Sequence, residues 1–164
     1  MKENGTRNSN IYLMVLGGLI LLFNFWLLPS GTDWKVPLDL KFGYDKEEAF
    51  QVLDNMGPET LPIYRFGLIV TDMIYPVFYA GFLSILMLRT WDSKRLVLLP
   101  VLILLLDVGE NLSILKLVDT FPAISDTDTQ RASFFSVGKW TVVGITFLLL
   151  IMGAIRSRFF SKKL

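Results

Sequence analysis

Apolar residues along the chain gather into four long runs, and shorter polar segments separate them. The runs cover residues 11–28, 65–88, 96–118 and 132–155. A helix needs about 20 mostly apolar residues to cross the hydrocarbon core of a bilayer. A soluble domain of this size would have little left to cover four such helices. The pattern therefore predicts an all-α integral membrane protein, built as an antiparallel bundle of four transmembrane helices.

The segment between the first two runs, residues 29–64, is long enough to cap the bundle. Asp45 and Glu48 stand three residues apart in capping-box spacing, which indicates the start of a helix. Gly57 and Pro58 then end it. Between these signals, apolar residues recur at helical spacing on one face: Ala49, Val52, Leu53 and Met56. We therefore predict a short amphipathic helix in the first outer loop, lying on the bilayer surface or on the bundle as a plug or a lid.

Charges are distributed unequally between the two sides of the predicted membrane. The two ends of the chain and the loop between the second and third runs contain nine basic and two acidic residues. The segments 29–64 and 119–131, with Arg65 and Arg131 at their borders, contain five basic and ten acidic residues. Because basic residues are retained on the cytoplasmic side, both termini are predicted to be cytoplasmic. A bacterial plasma membrane and the endoplasmic reticulum both fit this rule.

Composition narrows the possible chemistry. Hydrophobic residues make up 52% of the 164 residues, and the chain is short enough for a single membrane domain, 1–164. The net charge of +1 gives no reason to expect a nucleic-acid partner. The chain has no cysteine and no histidine, which excludes disulfides, thiol nucleophiles and mechanisms that use imidazole. No cofactor and no resident metal are predicted.

Ionisable residues inside the predicted spans are the main candidates for function, because burying a charge in a membrane is costly. They are Asp72 on the second span, Asp107 and Glu110 on the third, and Lys139 on the fourth. At the helical rise of about 1.5 Å per residue, all four lie in the outer half of the bilayer. Helical spacing adds further polar side chains to the same faces: Asn24, Tyr75, Tyr79, Asn111 and Ser136. The pattern predicts a polar pocket that opens outward beneath the segment 29–64.

One lysine in this cluster cannot neutralise three carboxylates. Because burial disfavours the charged form of a carboxyl, we expect at least one of the three to be protonated at neutral pH, or a cation to be bound. Glu110 and Asp72 are the candidate proton donor and acceptor, together with Asp107. Lys139 would balance charge or stabilise a developing anion. The predicted function is binding or acid/base conversion of a lipid or an apolar small molecule, with ligand contacts from Asn24, Tyr75, Tyr79, Asn111 and Ser136.

Other interpretations of the same residues stay open at this stage, and so does whether the chain is an enzyme. The cluster is structural if Lys139 simply pairs with Glu110 or Asp72. Ser136 and Lys139 have the spacing of a nucleophile and its base. A proton or cation relay, or a transport subunit, would use the same carboxylates and would need an oligomer. An accessory or assembly subunit would bring its polar cluster to a membrane-protein partner.

Overall fold

The computed structural model describes residues 2–27, 36–91 and 93–160, and all regular secondary structure in these ranges is helical. Four of the helices are long and apolar enough to cross a membrane. These are α1 (Lys2–Leu22), α2 (Lys46–Trp91), α3 (Leu98–Thr120) and α4 (Asp126–Phe160). The prediction of an all-helical chain with four helices of membrane-spanning length is therefore confirmed.

Short helical turns occur between the long helices. A π-helical turn, Phe23–Leu27, follows α1, and 3-10 turns form at Leu38–Leu40 and Lys94–Val97. The predicted end of the first span at residue 28, and the part of the predicted cap at 29–35, lie outside the described residues.

The first part of α2 is the amphipathic helix that the sequence predicts. The carboxylate of Asp45 accepts a hydrogen bond from the backbone N–H of Glu48 at 2.8 Å, so Asp45 is the N-cap. At Gly57 the backbone leaves helical geometry, with φ of 71°, a value that favours glycine. Helix geometry then resumes directly at Pro58, whose missing N–H is tolerated in a first helical turn. The amphipathic helix therefore ends at Gly57, as the sequence predicts, and the second part of α2 begins at Pro58 with no loop between them.

The helix α4 begins six residues before the predicted boundary at 132. Ser125 caps it, because its hydroxyl accepts a hydrogen bond from the backbone N–H of Asp128 at 3.1 Å and donates one to the Asp128 carboxylate at 2.7 Å. The first of these bonds is the N-cap half of a capping box, and the second joins the Ser125 and Asp128 side chains. The acidic residues after Ser125 thus belong to the first turn of a helix and not to a loop.

The main apolar core lies where the segment 36–56 packs across α3 and the start of α4. Leu38, Leu53 and Leu117 have no exposed surface. Gly43 allows this segment to approach α4 closely, since a Cβ there would lie 2.9 Å from a methyl group of Val137. The amphipathic face of α2 is therefore buried against other helices, as the interpretation of this segment as a cap on the bundle requires.

The contact between α3 and α4 depends on a small residue at Gly109, where an added Cβ would lie 2.6 Å from the ring of Phe135. We expect Gly109→Val to lower the free energy of unfolding by about 1–3 kcal/mol, because the ring must move out of a packed position. Gly144→Val is the matched control, since Gly144 is exposed and has no described atom within 4 Å of that position. The measurement is thermal unfolding in detergent, and equal midpoints for the two variants would contradict the packing described here.

Candidate functional site

A cavity of about 340 Å³ lies between the four helices. The segment 36–56, called the cap segment below, contributes to its wall. Most of the wall is apolar, with Phe82, Leu86 and Phe147 among the larger side chains. The polar residues on the wall come from the cap, α2, α3 and α4: Asp39, Asp72, Tyr75, Tyr79, Asp107, Asn111 and Lys139. Six of the nine predicted site residues therefore line one cavity.

A buried ion cluster stands at one side of this cavity and joins α3 to α4. The Lys139 Nζ lies 3.1 Å from the Asp107 Oδ1 and forms a second ion pair with the Glu110 Oε2. All three side chains are at most 10% exposed. Lys139 also donates a hydrogen bond to the backbone carbonyl of Asp39 at 2.8 Å, which ties the cap to α4. The sequence offered two acids as partners of Lys139, Glu110 and Asp72. The structure pairs Lys139 with Glu110 and with Asp107.

Asp107 is held on both sides. Its Oδ2 accepts a hydrogen bond from the Tyr79 hydroxyl at 2.6 Å, while its Oδ1 faces Lys139. Charge-assisted hydrogen bonds of this kind are short and strong. Asp107 therefore links α2 to the α3–α4 ion cluster, and its carboxylate has a fixed orientation on the cavity wall.

The contact between Asp72 and Asn111 follows from the position of Pro76. In an α-helix the carbonyl of residue 72 would accept the N–H of residue 76, and proline has none. The Asn111 side-chain amide supplies the missing donor, because its Nδ2 lies 2.7 Å from the Asp72 backbone oxygen. Asn111 is only 1% exposed. Its Oδ1 has no donor among the described residues.

The carboxyl group of Asp72 is the least satisfied acid on the wall. Its side chain accepts a hydrogen bond from the neighbouring Thr71 hydroxyl, at a long 3.4 Å. In the described ranges no basic side chain lies within 4 Å of it. Asp72 differs in this respect from Asp107 and Glu110, both of which pair with Lys139.

Asp39 joins the cluster from the cap segment, and it was not among the predicted site residues. Its carboxylate accepts a hydrogen bond from the Tyr64 hydroxyl at 2.9 Å. Burial raises the pKa of the Asp39 carboxyl, and the charge of Lys139 opposes that rise. The one signal in the sequence is an acid between Leu38 and Leu40, which is unusual for a solvated loop. Asp39 adds a fourth carboxyl to a cluster with one lysine.

Three predicted site residues lie off the cavity wall. Glu110 has no exposed surface and stands beside Lys139. Asn24 donates to the Tyr75 hydroxyl at 2.7 Å, and Ser136 donates to the backbone carbonyl of Lys41. Because the Ser136 hydroxyl is used in this way and Lys139 pairs with two carboxylates, these two residues do not form a nucleophile–base pair here.

Among the residues that the structure describes, no group of three or more acidic side chains is arranged to hold a metal ion. The ammonium of Lys139 lies between Asp107 and Glu110, in the position that a bound cation would need.

Similarity to known proteins does not assign a function to this cavity. Comparisons of the chain with protein-family models, with curated proteins and with solved structures find no match. The functional proposal therefore depends on the chemistry of the cavity wall.

Removing the lysine tests whether the ion cluster stabilises the α3–α4 contact. We expect Lys139→Met to destabilise the protein by about 3–5 kcal/mol, because Asp107 and Glu110 lose their buried counter-charge. Adding Glu110→Gln should recover part of this loss. The control is Lys116→Met, which removes an ion pair with Asp128 whose lysine is 53% exposed and should cost about 0–1 kcal/mol. Thermal unfolding in detergent measures all three, and an effect of Lys139→Met as small as that of the control would show that the cluster is not a stabilising contact.

The buried Asp39 carboxyl predicts a pH dependence of stability. Because burial raises its folded-state pKa above the ordinary 3.8, the folded protein keeps a proton that the unfolded chain releases. The stabilisation that this proton gives the folded protein is complete below pH 3.8, and it is lost as the pH rises through the folded-state pKa of Asp39. Asp39→Asn should therefore gain in stability relative to wild type as the pH rises from about 4, as followed by unfolding at a series of pH values. Asp54→Asn, at an exposed position of α2, controls for loss of one charge, and a parallel gain there would refute the assignment to Asp39.

Proposed function

We propose that the protein is a multi-pass membrane protein whose four helices form an antiparallel bundle. An ion pair and a hydrogen bond near the helix ends support this arrangement. Arg65, near the start of the part of α2 that follows Gly57, contacts Asp119 at the end of α3 at 2.6 Å. Arg89, near the end of α2, donates to Ser9 near the start of α1 at 2.8 Å. From the charge bias of the sequence we infer that both termini are cytoplasmic and that the amphipathic helix lies on the outer side.

We propose that the cavity between the helices binds a membrane lipid or another apolar small molecule. The observation that carries this proposal is a mostly apolar cavity of about 340 Å³ whose wall includes the Asp72 carboxyl, which has no ion-pair partner among the described residues and accepts one long hydrogen bond. Ligand pockets typically have volumes of about 300–1,000 Å³ and are apolar, with a few polar groups that orient the ligand. A purely structural role accounts for Lys139, Asp107 and Glu110, but it leaves the cavity and Asp72 without a use.

The polar residues then divide into two roles. Asp72 and Asn111 are the candidates to contact the polar group of the ligand, because each lies on the wall with oxygen capacity to spare. Asp107 and Lys139 hold the wall in place through their mutual ion pair. Glu110 lies off the wall and forms an ion pair with Lys139, so it acts as a positioning residue. If the ligand is also converted, proton transfer falls to the carboxyls that face it, Asp72 and Asp107.

Filling the cavity provides the test. Val143 lies on the cavity wall, whereas Ile145, two residues along the same helix, is 44% exposed on the outside. We expect wild type and Ile145→Phe, purified in a mild detergent, to retain a bound apolar molecule from the expressing cells, and Val143→Phe to lose it. Native mass spectrometry measures the retained mass directly.

Two results would contradict the proposed function. One is a wild-type protein that carries no bound molecule and takes up none from added lipid extract. The other is equal retention by Val143→Phe and Ile145→Phe when both are folded, which would place any bound lipid on the outer surface.

A further inference from the structure

The charges on the cavity wall are unbalanced, and they favour a positively charged ligand. Asp39, Asp72 and Asp107 line the cavity, and among the described residues of its wall Lys139 is the one basic side chain. That lysine is already shared between Asp107 and Glu110. A carboxylate that faces an apolar space is costly without a counter-charge, so Asp72 is the group that a cationic ligand would satisfy.

A second acceptor beside Asp72 specifies how the cation must be built. The Nδ2 of Asn111 donates to the Asp72 backbone, which fixes the orientation of the amide and leaves Oδ1 as an acceptor. This oxygen is buried on a residue that is 1% exposed, and no described group donates to it. Buried acceptors are normally satisfied, so this one indicates a missing donor. The ligand must therefore carry N–H or O–H groups as well as a positive charge.

We propose that the cavity takes an amphiphile whose polar end is a protonated primary amine. The ammonium group lies between the Asp72 carboxylate and the Asn111 Oδ1, and the apolar body packs against Phe82, Leu86 and Phe147. The inference rests on the proposed function, because it assumes that the cavity binds an apolar molecule. It adds the chemical class of that molecule.

The competing head groups each lack one property. An alcohol has a donor but no charge, so it leaves the Asp72 carboxylate uncompensated. A trimethylammonium group has the charge but no N–H for Asn111. An anionic head group meets three carboxyls on the wall. A primary ammonium carries both the charge and three donors.

The test compares three probes with the same twelve-carbon chain: dodecylamine, 1-dodecanol and dodecyltrimethylammonium. The full-length protein is used in detergent, and native mass spectrometry in competition gives the ratio of bound probes. We expect dodecylamine to exceed each of the other two by about tenfold or more, since hydrogen bonds to charged groups are the strong ones. Asp72→Asn keeps the shape of the side chain and should remove the preference for the amine over the alcohol. Asp54→Asn removes the same charge from an exposed position of α2 and should leave the preference unchanged.

The outcomes separate this inference from the proposed function. If wild type binds dodecanol as well as dodecylamine, the amine is the wrong class although the cavity binds apolar chains. If dodecyltrimethylammonium binds as well as dodecylamine, charge alone is recognised and the primary amine is again wrong. If none of the probes binds more to Ile145→Phe than to Val143→Phe, the proposed function itself fails. The wild-type comparison does not need Asp72→Asn to fold, so it decides the question even if that variant is unstable.

Discussion

The three contacts of the Lys139 ammonium determine how α3, α4 and the cap are placed. A buried ammonium must be surrounded by acceptors, and these come from Asp107 and Glu110 on α3 and from the Asp39 carbonyl on the cap. Apolar side chains do not supply this constraint, because helices in lipid gain little from burying apolar surface against one another. The hydroxyl of Tyr79 extends the same network to α2. The wall of the cavity is thus held by directional polar bonds, while most of its interior surface is apolar.

Much of the helical architecture could be predicted from the sequence, because the signals for it are local. The four apolar runs of membrane-spanning length correspond to four helices. The Asp45–Glu48 spacing correctly predicts the N-cap of α2. The start of α4 was predicted too late, although Ser125 and Asp128 have the same spacing with Asp in place of Glu. A helix boundary set by hydropathy misses a polar first turn, since the capped turn is outside the apolar run.

The site was harder to predict, because it depends on how the helices are rotated about their axes. Asp107, Glu110 and Asn111 share one side of α3, but successive residues turn by about 100° around the helix. Glu110 and Asn111 therefore diverge to either side of Asp107, one toward Lys139 and the other toward Asp72. Spacing alone does not distinguish these directions. Asp39 was missed for a different reason: its segment forms a single 3-10 turn, which is too short for a periodic pattern.

The exchange between Pro76 and Asn111 has a consequence for the order in which the chain is assembled. The proline deprives the Asp72 carbonyl of its usual donor in α2, and the described side chain that donates to this carbonyl is Asn111 on α3. In a bilayer, an unsatisfied carbonyl costs several kcal/mol, so α2 is poorly suited to stand alone in lipid. The two helices are joined by a short connection that includes Lys94–Val97. On the membrane topology proposed above, the two helices should therefore enter the bilayer together as a hairpin, because α3 carries the donor that α2 lacks.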